Sequence, residues 1–260
     1  MLKRANQNDI AQIKLLCANS IIGTRILCYI TAYGFERNFL EVWVIENDGV
    51  INGVLTKFYD DITLLVDKTA DAELLSAFLN MFYYKTLMCH SDVSKILGFN
   101  DSVDKNGYCY IGLDSDYDYE TDLLIEDDFK SAYDLICEEI PGSFRNDPEA
   151  YLSFLSDFTF RQRRGLARGV CIHFDNKLSS VALTSSETPD SAIISGVACE
   201  KSMQKKGLGK TTVLSLVNLL KKENKNIYVI ALNESAEGFY KHIGFVKKEK
   251  ISFVERKNYV

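Results

Sequence analysis

The segment from Gly196 to Lys210 combines residue types that bind phosphate. It joins a predicted buried strand to the start of an amphipathic helix, and Gly207 and Gly209 lie just before that helix. The first N–H groups of a helix lack intrahelical partners and carry the positive end of its dipole, so they favour an anion. Glycine lets the main chain approach a ligand closely. Of the four lysines in this segment, the three beside the glycines would attract a polyanion: Lys205, Lys206 and Lys210.

One phosphate-binding design that this segment resembles at first is the Walker A loop, through Gly207-Leu208-Gly209-Lys210-Thr211. That loop needs a glycine where Gln204 stands. The strand predicted next, at residues 227–232, ends in Asn233-Glu234 and lacks the aspartate that would hold magnesium. The sequence therefore disfavours a nucleotide hydrolase.

A second design fits better. Gln204-x-x-Gly207-x-Gly209 resembles the [QR]-x-x-G-x-[GA] loop of the GCN5-related N-acetyltransferase (GNAT) superfamily. Downstream, Asn233-x-x-Ala236-x-x-Phe239-Tyr240-x-x-x-Gly244-Phe245 is similar to the Asn…Ala…Tyr…Gly-Phe element of the same superfamily. The resemblance extends over residues 129–254 and is most specific in its second half.

The resemblance implies acetyl-coenzyme A (acetyl-CoA) as co-substrate and an N-acetyltransferase activity. The strand ending at Cys199 would follow the pantetheine arm, and an N–H near Cys199 would polarise the thioester carbonyl. Asn233 would contact the coenzyme where neighbouring strands splay apart, and Tyr240 would protonate the leaving thiolate as the catalytic acid. The main-chain amides from Lys205 to Lys210 would hold the pyrophosphate. The full set of residues expected to bind the coenzyme is Val197, Ala198, Cys199, Gln204, Lys205, Lys206, Gly207, Leu208, Gly209, Lys210 and Asn233.

The chemistry agrees with these roles. An amine that attacks a thioester builds an oxyanion, which a positioned N–H stabilises. One weak acid such as a phenol is enough for the expelled thiolate. Neither a metal nor a covalent intermediate is needed, so Cys199 is not expected to be a nucleophile. Residues that could act as general base by type alone are Glu200, Glu187 and Asp157, and water could serve instead.

Alternative interpretations remain open at this point. Tyr240 could pack in the core, Asn233 could only cap the following helix, and Lys205 and Lys206 could be surface charges. The alternative function is a GNAT-like acyl-CoA sensor without turnover, which would need no acid at the sulfur.

The elements around these residues read as an α/β fold. Helical spacing of apolar residues follows Gly209, and Gly244 marks the end of a second helix. The order predicted for the C-terminal half is strands at 167–175, 178–184 and 191–199, a helix after 209, a strand at 227–232, a helix at 235–243 and a strand at 245–254.

The N-terminal half repeats this order with weaker signals. The predicted elements are a helix at 10–20, strands at 41–46 and 50–58 around Asn47-Asp48-Gly49, a strand at 62–67, a helix at 72–82, a strand at 85–89 and a short helix ending before 99. Ile96-Leu97-Gly98-Phe99 matches His242-Ile243-Gly244-Phe245. We therefore predict two GNAT-like units in tandem, each with a mixed, mostly antiparallel sheet flanked by helices.

The predicted boundaries are a degenerate first domain at 1–112, an acidic linker at 113–128 and the acetyl-CoA domain at 129–260. The first copy has Lys68-Thr69-Ala70-Asp71 where the second has its glycine loop, and no tyrosine at 92–95 to match Tyr240. One coenzyme per chain is therefore expected. Within the linker, Asp114-x-Asp116-x-Asp118 invites a calcium-loop interpretation, but Tyr119 and Ile125 replace the required glycine and glutamate.

Charge and composition limit the classes of partner that the protein is expected to have. Residues 201–260 hold 13 Lys and Arg against 5 Asp and Glu, and the rest of the chain is net −14. The lysines are not interleaved with stacking aromatics, so nucleic acid is not expected, and a small, positively charged amine is the expected acceptor. No secretory signal or membrane span is evident, and seven scattered cysteines indicate reduced thiols in the cytoplasm. No metal site is expected, because none of the three histidines lies in a run of cysteines and histidines.

Overall fold

The structure is a computed structural model that describes residues 1–67, 71–112, 120–140 and 147–256. Its strands are β1 (Leu2–Arg4), β2 (Leu40–Asn47), β3 (Val50–Phe58), β4 (Asp61–Val66), β5 (Thr86–His90), β6 (Val103–Tyr110), β7 (Asp122–Leu123), β8 (Gly169–Phe174), β9 (Lys177–Glu187), β10 (Ser191–Cys199), β11 (Asn226–Ala231) and β12 (Phe245–Glu255). Its helices are α1 (Ile10–Cys17), α2 (Ile21–Tyr33), α3 (Ala72–Leu79), α4 (Ser91–Ile96), α5 (Phe129–Glu139), α6 (Pro148–Gln162), α7 (Leu208–Lys221) and α8 (Glu234–His242).

The chain forms two compact units that are not contiguous in sequence. Unit 1 holds Met1–Tyr108, Ala231–Glu237 and the segment from Lys247, and unit 2 holds Cys109–Ile230 and Gly238–Val246. The predicted boundaries at 112 and 128 remain predictions. Residues 113–119 lie outside the described part of the chain.

Unit 1 is built on strands in the order β1-β2-β3-β4-β5-β12-β6. The pairs from β1 to β4 are antiparallel, β4 and β5 are parallel, and β5 pairs with β12 antiparallel from His90↔Ile251 to Thr86↔Glu255. Apolar side chains of β3, β4, β5 and α3 form a core that includes Leu55, Leu64 and Leu87. The strand that pairs with β5 in unit 1 is β12, the last of the described strands.

Unit 2 has the strand order β11-β10-β9-β8-β7. All of its pairs are antiparallel except β10 with β11. Helix α7 buries Val213, Leu216 and Val217, so its predicted apolar stripe faces the core. The predicted architecture, a mostly antiparallel sheet flanked by helices, is confirmed.

The structure adds elements that the sequence reading left unassigned. Helix α2 is apolar on most of its circumference, with Ile21, Ile22, Ile26 and Ile30 all buried, so its apolar residues mark no single face. Residues 120–128 of the predicted solvated linker contribute β7 and a 3-10 turn, because Leu124 is buried in the core of unit 2. None of the described helices has the length and apolarity needed to cross a membrane.

Candidate functional site

Strands β10 and β11 separate part of the way along unit 2. Their parallel register runs from Ser191↔Asn226 to Ile194↔Val229, and β10 continues without a β11 partner to Cys199. This end of β10 is the strand that was predicted to follow the pantetheine arm, and that placement stays a prediction.

A bulge in β10 accompanies this separation. The register of β10 against β9 shifts between Ser195 and Ala198, and Gly196 has φ +53°. A side chain there would be strained, and its Cβ would lie 2.9 Å from Ile136 Cδ1. Gly196 therefore permits the bulge, after which β10 pairs with β9 again at Ala198↔Val181 and Cys199↔Ser180.

The bulge leaves the Cys199 amide on the open side of β10. Glu200 donates its N–H to Ser179 O on β9 at 2.9 Å, and Cys199 is opposite Ser180. Antiparallel partners alternate between bonded and non-bonded pairs, so the Cys199 N–H points away from β9. This amide is the one predicted to polarise the thioester. Burial raises the pKa of the Cys199 thiol, which agrees with its not being a nucleophile.

The turn after β10 is held by a glutamate of α5. Glu139 accepts from Lys201 N at 2.9 Å through Oε1 and from Gln204 Nε2 at 3.0 Å through Oε2. The Gln204 side chain also donates to Cys199 O at 3.0 Å. Gln204 therefore closes the turn with its side chain, and Glu139 joins this turn to α5. No local pattern predicts this contact, because Glu139 is 65 residues from Gln204.

Helix α7 begins without a side-chain cap. Its N-cap is Gly207, in the left-handed region at φ +91°, and Thr211 N is the first amide bonded back to the helix, to Gly207 O at 3.0 Å. The amides of Leu208, Gly209 and Lys210 have no acceptor inside the helix. Apart from its chain neighbours and the backbone of its own helix, no heavy atom of the described residues lies within 4 Å of a Cβ built on Gly209. This helix start offers N–H groups, positive dipole and space to an anion.

The surrounding loop carries the expected cations. Lys205, Lys206 and Lys210 are exposed, and Lys205 has φ +61°, which side chains other than glycine adopt rarely. The corresponding helix of unit 1 is different. The Asp71 carboxylate caps α3 by accepting from Glu73 N at 3.0 Å and Leu74 N at 3.1 Å. These amides are already occupied by an anion, so a phosphate has no place there.

Asn233 lies between β11 and α8. Its Oδ1 accepts from Ala236 N at 2.9 Å, so the capping role considered from the sequence is present. This hydrogen bond uses the side-chain oxygen and leaves the amide nitrogen of Asn233 out of the cap. The coenzyme contact predicted for Asn233 remains a prediction.

Tyr240 lies on α8 in unit 2 and is 7% exposed. Its ring packs edge-on against Phe245, with 5.6 Å between ring centroids. Burial raises the pKa of Tyr240 to about 12, so its hydroxyl stays protonated at neutral pH. Gly244, at φ +104°, ends the helix, and its O accepts from Ile111 N at 3.1 Å. Tyr240 is therefore packed in the core, as in the alternative interpretation, and its hydroxyl group holds a proton at neutral pH. Its role as the catalytic acid stays a prediction.

The three candidate bases differ in their environments. Glu187 is fully buried and accepts from Arg168 Nη2 at 2.5 Å and Lys225 Nζ at 2.6 Å, so it holds a structural ion cluster. Asp157 is paired with the buried Arg161.

Glu200 is the candidate that follows β10 directly. It pairs with Lys177 at 3.2 Å, which lowers the pKa of its carboxyl. Of the three candidates, Glu200 alone adjoins the open end of β10.

Unit 2 also contains a cluster of potential metal ligands that the sequence did not predict. Asp128, Cys171 and His173 place one potential metal-ligand atom each within 4.8 Å of one another. The sequence shows Cys171-x-His173 as a visible pair, but Asp128 is 43 residues before Cys171. Folding of β8 beside the start of α5 brings them together.

The separated strands, the bulge and the uncapped glycine loop can be compared with those of known proteins. Residues 172–254 match the family model described as FR47-like protein. No curated protein sequence matches the chain at significant similarity.

Solved structures agree over the full chain. An acetyltransferase from the GNAT family of Colwellia psychrerythraea is 12% identical, with a TM-score of 0.63, and the match covers 99% of this chain and 100% of that one. A tandem GNAT protein from the clavulanic acid biosynthesis pathway is 13% identical, with a TM-score of 0.62 and coverage of 100% and 99%. A GCN5-related N-acetyltransferase from Sphaerobacter thermophilus is 12% identical, with a TM-score of 0.61 and coverage of 100% and 96%. At these identities the likeness concerns the fold. The predicted GNAT resemblance and the predicted tandem of two units are confirmed.

Proposed function

We propose that this protein is an N-acetyltransferase that binds acetyl-CoA in unit 2 and transfers the acetyl group to a small amine. The observation that carries the proposal is the uncapped start of α7, with φ +91° at Gly207 and open space at Gly209. A pyrophosphate fits this group of free amides and exposed lysines. The fold shared with GNAT structures supports the same activity.

The residues of unit 2 would divide the chemistry as follows. The Cys199 N–H, directed to the open side of β10, donates to the thioester oxygen as negative charge develops there. The amine nitrogen forms the new bond to the acetyl carbon, and the bond from that carbon to sulfur breaks. Tyr240 donates its proton to the departing sulfur, and the proton lost by the amine goes to water or to Glu200.

Tyr240 is a weak acid for this role. With a pKa of about 12, the phenol holds its proton more tightly than a thiol of pKa about 8.5. Complete transfer is uphill in the free protein, so Tyr240 acts first as a hydrogen-bond donor to the developing thiolate. The phenol must then recover any proton it gives from solvent.

The acceptor is proposed to be a small cationic amine, from the excess of carboxylates in residues 1–200. A reducing compartment is proposed for the protein, in keeping with its seven free cysteines.

The full-length protein tests the proposal directly. Calorimetry should give one CoA site per chain, and thiol release should be measured with acetyl-CoA and a panel of amines. Turnover with at least one amine is the expected result. Tight binding of acetyl-CoA without turnover on any amine would favour the sensor, and absence of CoA binding would refute the site.

A further inference from the structure

Four side chains at one edge of unit 2 converge outside the proposed coenzyme site. Cys171 and His173 are two residues apart on β8, Asp122 on β7 is the register partner of Cys171, and Asp128 directly precedes α5. His173 Nε2 is 3.0 Å from Asp128 Oδ1, and Cys171 Sγ is 3.9 Å from Asp128 Oδ2. Asp128 therefore contacts both a nitrogen and a sulfur that can bind a metal.

These distances suit a tetrahedral ion. Bonds of about 2.0 Å to nitrogen or oxygen and about 2.3 Å to sulfur put tetrahedral ligand atoms about 3.3 to 3.6 Å apart. The three ligand atoms of Asp128, Cys171 and His173 lie within 4.8 Å of one another, so small side-chain movements complete the geometry. Nitrogen, sulfur and carboxylate oxygen together select zinc or a similar transition metal, because calcium and magnesium prefer oxygen alone.

Asp122 supplies the outer partner that such sites use. Its Oδ2 is 3.3 Å from His173 Nδ1, on the side of the ring opposite Asp128. A carboxylate that accepts from Nδ1–H fixes the tautomer in which Nε2 carries the free lone pair. Cys171 is fully buried, and the side chains of Asp128 and His173 are 17% and 31% exposed, so an ion has a route from solvent.

We propose that unit 2 binds one zinc-class metal ion through His173 Nε2, an Asp128 oxygen and Cys171 Sγ, with Asp122 positioning the imidazole and water as fourth ligand. Binding forms the metal–sulfur bond, breaks the S–H bond and releases that proton to solvent. No change of oxidation state occurs. The ion ties β8 to the residue that precedes α5.

Cobalt(II) is the probe for this site. Full-length protein without a histidine tag is stripped with chelator and titrated with Co²⁺, then with Zn²⁺ as competitor. We expect one equivalent of Co²⁺ to bind, with a sulfur-to-cobalt charge-transfer band in the near ultraviolet that Zn²⁺ abolishes. Thermal unfolding should shift to higher temperature with bound metal, because only the folded chain presents the three ligands.

Variants locate the ion. Cys171→Ser should lose the charge-transfer band, and His173→Gln and Asp128→Asn should each weaken binding at least about 100-fold. Asp122→Asn should weaken binding about 10- to 100-fold while the band remains. Matched controls are Cys137→Ser and His242→Gln, which should titrate as the unmodified protein does.

Two results would overturn the proposal. One is a folded unmodified protein that takes up no stoichiometric Co²⁺ or Zn²⁺ at micromolar concentration, which would leave His173 as an ion-pair partner of two carboxylates. The other is unchanged binding in His173→Gln or Asp128→Asn. These two variants decide the question if Cys171→Ser fails to fold.

Discussion

Replacing Gly209 with valine should separate coenzyme binding from folding. Gly209 is the second residue of α7, its φ is not left-handed, and a Cβ there meets nothing within 4 Å. Valine is a better helix former than glycine by a few tenths of a kcal/mol. The free energy of unfolding of Gly209→Val should therefore equal or slightly exceed that of the unmodified protein.

Coenzyme binding should fall in the same variant. The added methyl groups occupy the space in front of the free amides of α7, where the pyrophosphate would lie. A hydrogen bond to a charged group contributes about 1.5–3 kcal/mol. Losing one such bond weakens CoA binding about 10- to 100-fold, and losing two weakens it further.

Calorimetry with CoA and urea unfolding measure the two effects on the same protein samples. Gly238→Val is the matched control, because Gly238 is also helical and its Cβ would also meet no described residue outside its own helix within 4 Å. Gly207→Val should differ from both. Its φ of +91° costs a branched residue about 1–2 kcal/mol, so stability and binding fall together. Folded Gly209→Val with CoA affinity within twofold of the unmodified protein would refute the pyrophosphate assignment.

Three further predictions concern turnover, acid stability and salt. Tyr240→Phe should lower kcat about 100-fold or more with CoA affinity nearly unchanged. Because burial raises the pKa of Tyr240 to about 12, kcat/KM should show no alkaline fall from this group below about pH 11. Equal turnover by both proteins would mean that Tyr240 only packs in the core. Hydrogen bonds from Lys250 and Ser252 lower the pKa of Asp104 to about 2, so its stabilisation is complete above the unfolded pKa of about 4 and disappears as pH falls towards 2. Urea unfolding between pH 5 and pH 2 should therefore show a steeper loss for the unmodified protein than for Asp104→Asn, and parallel curves would contradict this. For a cationic amine, kcat/KM should fall between low and high salt, because salt screens attraction to the carboxylates; a flat or rising value would exclude that attraction.

Local signals in the sequence predicted local structure well. Asn47-Asp48-Gly49 predicted a hairpin, and β2 and β3 meet there with φ +50° at Asp48 and +81° at Gly49. Gly207 predicts a backbone position that favours glycine, and its left-handed φ of +91° agrees with this. In both places the residue type itself restricts the backbone, so neighbours in sequence are sufficient to predict it.

Local signals in the sequence do not predict contacts between residues that are far apart in the chain. Glu139 carries no pattern that marks it as a partner of Gln204, and the bulge at Gly196 depends on the register against β9. The repeat of Ile-Leu-Gly-Phe-like endings indicated two copies correctly. It did not indicate that β12, which follows Gly244, pairs with β5 of the first copy. Such pairings depend on which strand edges are available once the sheet forms. Local patterns in a single sequence do not show which edges those are.

The pairing of β12 with β5 couples the folding of unit 1 to the synthesis of residues 247–256. A ribosome that has finished β5 must still make residues 91–246 before the segment that pairs with it, which takes on the order of ten seconds. During that interval the edge of β5 presents unpaired N–H and C=O groups, which other chains can bind. Cutting the gene after residue 112 would make this exposure permanent, so the N-terminal fragment should self-associate or require a chaperone. Adding a peptide of residues 247–256 should then reduce this self-association, because the peptide supplies the strand that pairs with β5.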